Sequence, residues 1–164
     1  SSLPALIVNI EEDTYITEIY DTEPIKVTRI ATGTKNIIDT INNEENSISK
    51  SYEVLRNMVL PTDDMDQISF EGNEYAPIIV SEVMKIVSEI KSVMKKRPGI
   101  YKKIYISGTG ATISNLETFI EKLIDDVECD ILRPAGIEGQ KKVAIKEYVD
   151  VNSAIALACE ALRI

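Results

Sequence analysis

Ile104-Tyr105-Ile106-Ser107-Gly108-Thr109-Gly110-Ala111 is a run in which an apolar, β-branched strand passes straight into a pair of glycines. Gly108 and Gly110 lack a Cβ and can take positive φ, so the backbone there can turn sharply and come close to a flat or phosphorylated ligand. Downstream, Ser114 and Glu117 stand at capping-box spacing, and Leu116, Phe119, Ile120, Leu123 and Ile124 recur at helical period. That pattern predicts a helix over 114–126. Strand, glycine turn and helix make either a ligand-facing loop or a tight connection that uses glycine for geometry alone.

Upstream of this run, residues 76–96 carry Ile79, Val80, Val83, Met84, Val87, Ile90, Val93 and Met94 at spacings of three and four. Pro77 suits a first helical turn and Pro98-Gly99 a stop, so the longest helix is expected here, lying across a sheet. The N-terminal third reads as three consecutive strands over 6–10, 14–20 and 25–31, separated by Glu11-Glu12-Asp13 and by an Asp21-Thr22-Glu23-Pro24 turn. Between Gly33 and Tyr75 the texture changes to short helices with polar interruptions. Thr34 can cap one carrying Ile37, Ile38 and Ile41, and Ser49 another carrying Tyr52, Val54 and Leu55. This stretch, 33–75, is expected to be an inserted subdomain with a short strand near 67–71. Beyond the glycine run come a strand near 129–132, a loop, an extended piece at 143–145 and a last helix over 150–162. In that helix Ala154, Ala158 and Ala161 would allow close packing.

The expected fold class is therefore α/β, in the order β-β-β, insertion, α-β-α-β-α. An antiparallel meander is extended by right-handed parallel crossovers into one mixed sheet of about five strands, with helices on its faces and a helical insertion. Val83, Val87, Ile90, Leu116, Ile120, Leu6, Val8, Ile104 and Ile106 should form its core.

Composition narrows the chemistry. With 164 residues and 44% hydrophobic content the chain suits one domain, 1–164, with an adequate core. Its 27 acidic against 18 basic residues give a net charge of -9, which repels phosphate backbones and argues against a nucleic-acid partner. No apolar run reaches about 18 residues and no leader is visible, so neither membrane insertion nor export is expected. Cys129 and Cys159 stand in apolar surroundings, which fits reduced thiols and a cytoplasmic location. Histidine is absent, which removes the usual general base, the Ser-His and Cys-His pairs and most zinc sites.

The order of elements resembles a ribonuclease-H-like domain, the unit that occurs twice in actin-like ATPases, and the chain looks like the second half of such a protein. It is most similar to the PilM family of type IV pilus assembly proteins, with the FtsA cell-division family behind it. The residues that carry the likeness are Leu6 to Ile10 with Thr14, the Glu23-Pro24-Ile25 turn, and Val27 and Ile30 ahead of Thr32-Gly33. Ser107 to Ala111 and the closing Ser153-Ala154-Ile155-Ala156-Leu157-Ala158 helix complete it. In the family the glycine loop touches the adenosine end of the nucleotide, which makes Gly108, Thr109, Gly110 and Ala111 the implied nucleotide-binding positions. The family's phosphate loop, Asp-x-Gly followed by a small hydroxyl residue, falls on Asn9, Ile10 and Glu11, with Thr14 beyond. Asn9 cannot supply the negative charge that orients magnesium or water, and Glu11, Glu12 and Asp13 bring three carboxylates to the place of the phosphates. At close range in a partly dry cleft such like charges cost on the order of several kcal/mol.

The resemblance implies ATP with magnesium as the ligand of a complete two-domain protein, and no cofactor for this half alone. It also implies a non-catalytic cytoplasmic scaffold of type IV pilus assembly, at the inner face of the plasma membrane. A PilN-like inner-membrane protein would be its partner through the whole protein, and self-association a further interaction. The alternatives are an FtsA-like division protein and half of an ATPase or sugar kinase; a ribonuclease-H-type nuclease fails because Asn9 stands where a first-strand carboxylate would hold metal. Ser1-Ser2 and the immediate start of a core strand lead us to expect a fragment of a longer protein. The stop at Ile164, without an amphipathic membrane helix, favours the pilus family over the division family.

Overall fold

Strand β1 (Ala5–Ile10) is paired along both edges, and the sheet grows outward from it. The computed structural model of the chain describes residues 3–62 and 74–132. β2 (Thr14–Tyr20) runs antiparallel to β1, and β3 (Glu23–Ile30) antiparallel to β2. On the other side β4 (Lys103–Ser107) and β5 (Glu128–Ile131) are parallel additions, giving the order β3-β2-β1-β4-β5. The mixed five-stranded sheet expected from the sequence is the one observed.

Local chemistry accounts for the meander. Asp21 and Thr22 both have positive φ, 50° and 70°, so a two-residue loop closes β2 onto β3. The turn is thus shorter than the four residues expected, and Pro24 lies within β3. It is tolerated there because β3 is the edge strand and proline's missing N–H costs no ladder bond on the open side.

Leu6, Val8 and Ile10 of β1 share a buried face with Ile16 of β2 and Ile104 and Ile106 of β4. Helices α1 (Thr34–Glu45), α2 (Ile48–Asn57), α3 (Ala76–Lys95) and α4 (Leu116–Leu123) complete the same core cluster. All nine residues expected at the centre of that core are buried. In α3 the buried stripe is Ile79, Val83, Ile86, Val87, Ile90 and Val93, whereas Met84 is 41% exposed. Glu82 is buried on that stripe, its carboxylate accepting from Lys85 Nζ at 2.7 Å.

Three capping expectations are corrected. The residue before α1 is Gly33, and Thr34 is the first helical residue, with no side-chain cap. The orphan N–H of Thr34 donates instead to the carbonyl of Glu11 at 2.7 Å. Ser47, two residues before the expected Ser49, caps α2 by accepting from the Lys50 N–H at 3.2 Å. The helix predicted over 114–126 is shorter: a 3-10 turn at Thr109–Thr112 comes first, and Asn115, with φ 67°, precedes Leu116. Ser114 makes a parallel bridge to Val59, donating from its N–H to the Met58 carbonyl and accepting from the Leu60 N–H, both at 3.0 Å. The strand expected near 67–71, the extended piece at 143–145 and the helix over 150–162 lie outside the described residues. No helix among the described residues is long and apolar enough to cross a membrane.

One buried carboxylate ties the end of α3 to the sheet. Glu18 of β2 is 3% exposed and accepts a hydrogen bond from the Tyr101 hydroxyl at 2.7 Å, with Arg97 Nε at 3.8 Å. Burial, and then the bond to Glu18, push the Tyr101 hydroxyl from about 10 up to about 12. A raised value in the folded state stabilises below the unfolded value and is lost as pH climbs through the folded one. Stability should therefore fall between about pH 10 and pH 12, and Tyr101→Phe should flatten that fall in urea titrations. At neutral pH the same substitution should cost about 1–3 kcal/mol, because Glu18 loses its closest donor.

Candidate functional site

The parallel register sets Asn9 opposite Ser107, so the carboxyl ends of β1 and β4 emerge side by side and their following loops meet. Ligands of open α/β sheets sit at such strand ends. Two side-chain connections join the loops. The Ser107 hydroxyl donates to Asn9 Oδ1 at 2.9 Å. The Glu11 carboxylate takes both donors of Thr109: the backbone N–H on Oε1 at 3.2 Å and the hydroxyl on Oε2 at 2.7 Å.

The glycines are required by how closely the strands pass. Gly108 has φ 87°, and a Cβ on it would lie 2.5 Å from the Ile10 carbonyl oxygen and 2.8 Å from Asn9 Oδ1. Gly110 does not have positive φ; it is needed because its Cβ would fall 2.3 Å from Ile10 Cγ2. Gly108 then opens the 3-10 turn, closed by the Ala111 N–H on the Gly108 carbonyl and by the Thr112 hydroxyl on the Thr109 carbonyl. Ala111 is buried beneath it.

The turn after β1 is held from its other side too. The Thr34 N–H bonds to the Glu11 carbonyl and the Lys35 N–H, at 3.4 Å, to that of Glu12. A Cβ on Gly33 would stand 2.3 Å from the Glu11 carbonyl oxygen, so only glycine lets α1 begin this close to the turn. Asp13, in the same turn, is paired with Arg29, whose Nε donates to Oδ2 at 2.8 Å. That bond, with the adjacent charge, raises the Arg29 guanidinium further.

Of the positions read from the sequence, Gly108, Thr109, Gly110, Ala111 and Asn9 converge at one place. Thr14 lies apart. It pairs with Ile10 on the buried face of the sheet, fully enclosed, and its hydroxyl has no hydrogen-bond partner among the described residues. The sequence reading missed Ser107 as the partner of Asn9 and Gly33 as the seat of α1. It treated Glu11 only as a charge, whereas the side chain is a bidentate ligand of Thr109. Among the described residues no group of three His, Cys, Asp or Glu could hold a metal ion. Cys129 is a buried thiol, which burial and then Glu121 push up to about 12, so it stays protonated and inert.

No protein-family model and no curated protein matches the sequence. Solved structures do match the fold. A chain of the PilM–PilN type IV pilus biogenesis complex superposes with TM-score 0.69 at 16% identity, over 98% of this chain and 46% of that one. The archaeal actin homolog Ta0583, in complex with ADP, gives 0.65 at 14% identity, over 100% and 51%. MreB 5 of Spiroplasma citri bound to AMPPNP gives 0.60 at 14% identity, over 79% and 48%. The fold is actin-like. The chain spans about half the length of these actin-like structures, and at such identities the likeness concerns the fold alone.

The N–H and hydroxyl of Thr109 are spent on a carboxylate, the first N–H groups of α1 are spent on carbonyls, and Asn9 is uncharged.

The close passage predicts a graded response to adding one methyl group. Gly108→Ala should lower stability by more than about 2 kcal/mol, since it combines positive φ with a collision on the Ile10 carbonyl. Gly99 also has positive φ, 74°, but open space around it, so Gly99→Ala should cost only about 1 kcal/mol. Thermal unfolding of the two variants checks the order.

Proposed function

We propose that the chain is the second half of a PilM-like protein and serves as a non-catalytic scaffold in type IV pilus assembly, on the cytoplasmic side of the membrane. The observation that carries the non-catalytic reading is Asn9. At the end of the central strand, where a hydrolase of this fold family would place a carboxylate for magnesium or water, stands a neutral amide whose Oδ1 accepts the Ser107 hydroxyl. Support for the pilus reading is the likeness to a chain of the PilM–PilN complex over nearly the whole of this chain. A PilN-like inner-membrane protein is the partner this reading names, engaged by the whole protein, with self-association as a further interaction.

The second reading is a nucleotide-binding half, and the ADP and AMPPNP complexes of the two actin-like neighbours favour it. Calorimetry with ATP and magnesium, together with phosphate release, separates the two. The protein that contains this chain should release no phosphate above the blank while still capturing a PilN-like partner in a pull-down. Turnover that disappears on Gly108→Val would overturn the scaffold reading and restore an enzyme.

A further inference from the structure

We propose that Glu11 is an internal ligand of the Gly108–Thr109 loop, an autoinhibitory carboxylate that holds the position an anionic group of a phosphorylated ligand would otherwise take. The proposal deepens the scaffold reading and rests on it. Its first support is the geometry: two carboxylate oxygens meet the two donors of one residue, the Thr109 N–H at 3.2 Å and its hydroxyl at 2.7 Å. Backbone N–H and hydroxyl groups at a glycine turn are the donors that bind phosphate oxygens elsewhere, and a carboxylate satisfies them equally well.

Its second support is that Glu11 is fixed in place. Its carbonyl is held by the Thr34 N–H at 2.7 Å, its own N–H donates to the Asp13 carbonyl at 3.1 Å, and Gly33 is packed against it. A carboxylate anchored this way is present at high effective concentration, so a dissolved anion competes poorly for the same donors. Its third support is the neighbouring glycine. A Cβ on Gly108 would stand 2.9 Å from Glu11 Oε1, so the loop is shaped to let that oxygen approach. An incoming phosphate would have to displace the carboxylate and then remain beside its charge.

The test is calorimetry of the whole protein with ADP and, separately, pyrophosphate, comparing wild type with Glu11→Ala. ADP should bind at least tenfold tighter to Glu11→Ala, and adding Thr109→Val to that variant should cancel the gain. A matching gain with pyrophosphate supports the proposal with phosphate alone as the recognised group, and a gain with ADP only supports it with the nucleoside contributing. Equal affinity of folded Glu11→Ala and wild type for both probes overturns it and leaves the scaffold reading standing, whereas hydrolysis by wild type strikes that reading instead. Should Glu11→Ala fail to fold, Glu11→Gln keeps the size and drops the charge. Severalfold tighter ADP binding by Glu11→Gln supports the proposal, and none overturns it.

Discussion

Everything at the candidate site depends on the parallel pairing of β1 with β4. These strands are separated by nearly a hundred residues, yet their register places Asn9 level with Ser107 and the turn after β1 against the glycine loop. Because side chains alternate along a strand, a slip of one residue would turn Leu6, Val8 and Ile10 out of the core. Hydrophobic burial therefore fixes the register, and the register fixes which polar groups meet at the strand ends. Without that pairing neither the Ser107–Asn9 bond nor the Glu11–Thr109 pair could form.

The loops then close on one another through glycine and carboxylate chemistry together. Among the described residues Gly33, Gly108 and Gly110 are the glycines where a Cβ would collide, with backbone carbonyls at Gly33 and Gly108 and with the Ile10 side chain at Gly110. Here and elsewhere in the fold, acidic side chains are put to internal use. Glu11 binds Thr109, Asp13 binds Arg29, Glu18 takes the Tyr101 hydroxyl and Glu82 takes Lys85. A carboxylate buried with donors is held in place, whereas one left without them would be costly.

Much of the fold was legible because its signals are periodic. The three opening strands, the long helix and the strand before Gly108 follow from β-branched runs, spacings of three and four, and turn residues. In α3 periodicity placed Val83, Val87 and Ile90 in the core, but not the edges of the buried face. Val80 and Met84 continue the apolar pattern at helical spacing, yet Met84 is 41% exposed whereas Glu82 is buried, its carboxylate accepting from Lys85 Nζ. Capping was misread where tertiary contacts supplied the partner: Thr34 is satisfied by the Glu11 carbonyl, and Ser114 by Met58 and Leu60. At the site, the glycine loop and the departure at Asn9 were visible in the sequence. The role of Glu11 was not, since a charge in a turn gives no sign of which donor it will reach. Thr14 likewise has the residue type of a phosphate ligand, but strand alternation carries it to the buried face.

The central claim is that the turn after β1 is locked onto the glycine loop in the ligand-free protein. Amide hydrogen exchange at Thr109, followed by NMR without any ligand, tests it most directly. If Glu11 holds that N–H, exchange should be slowed by about 100-fold or more relative to an unstructured amide, and the Thr34 N–H should be slowed alongside it. Exchange of Thr109 at the rate of a free loop amide, with β4 still protected, would contradict the account.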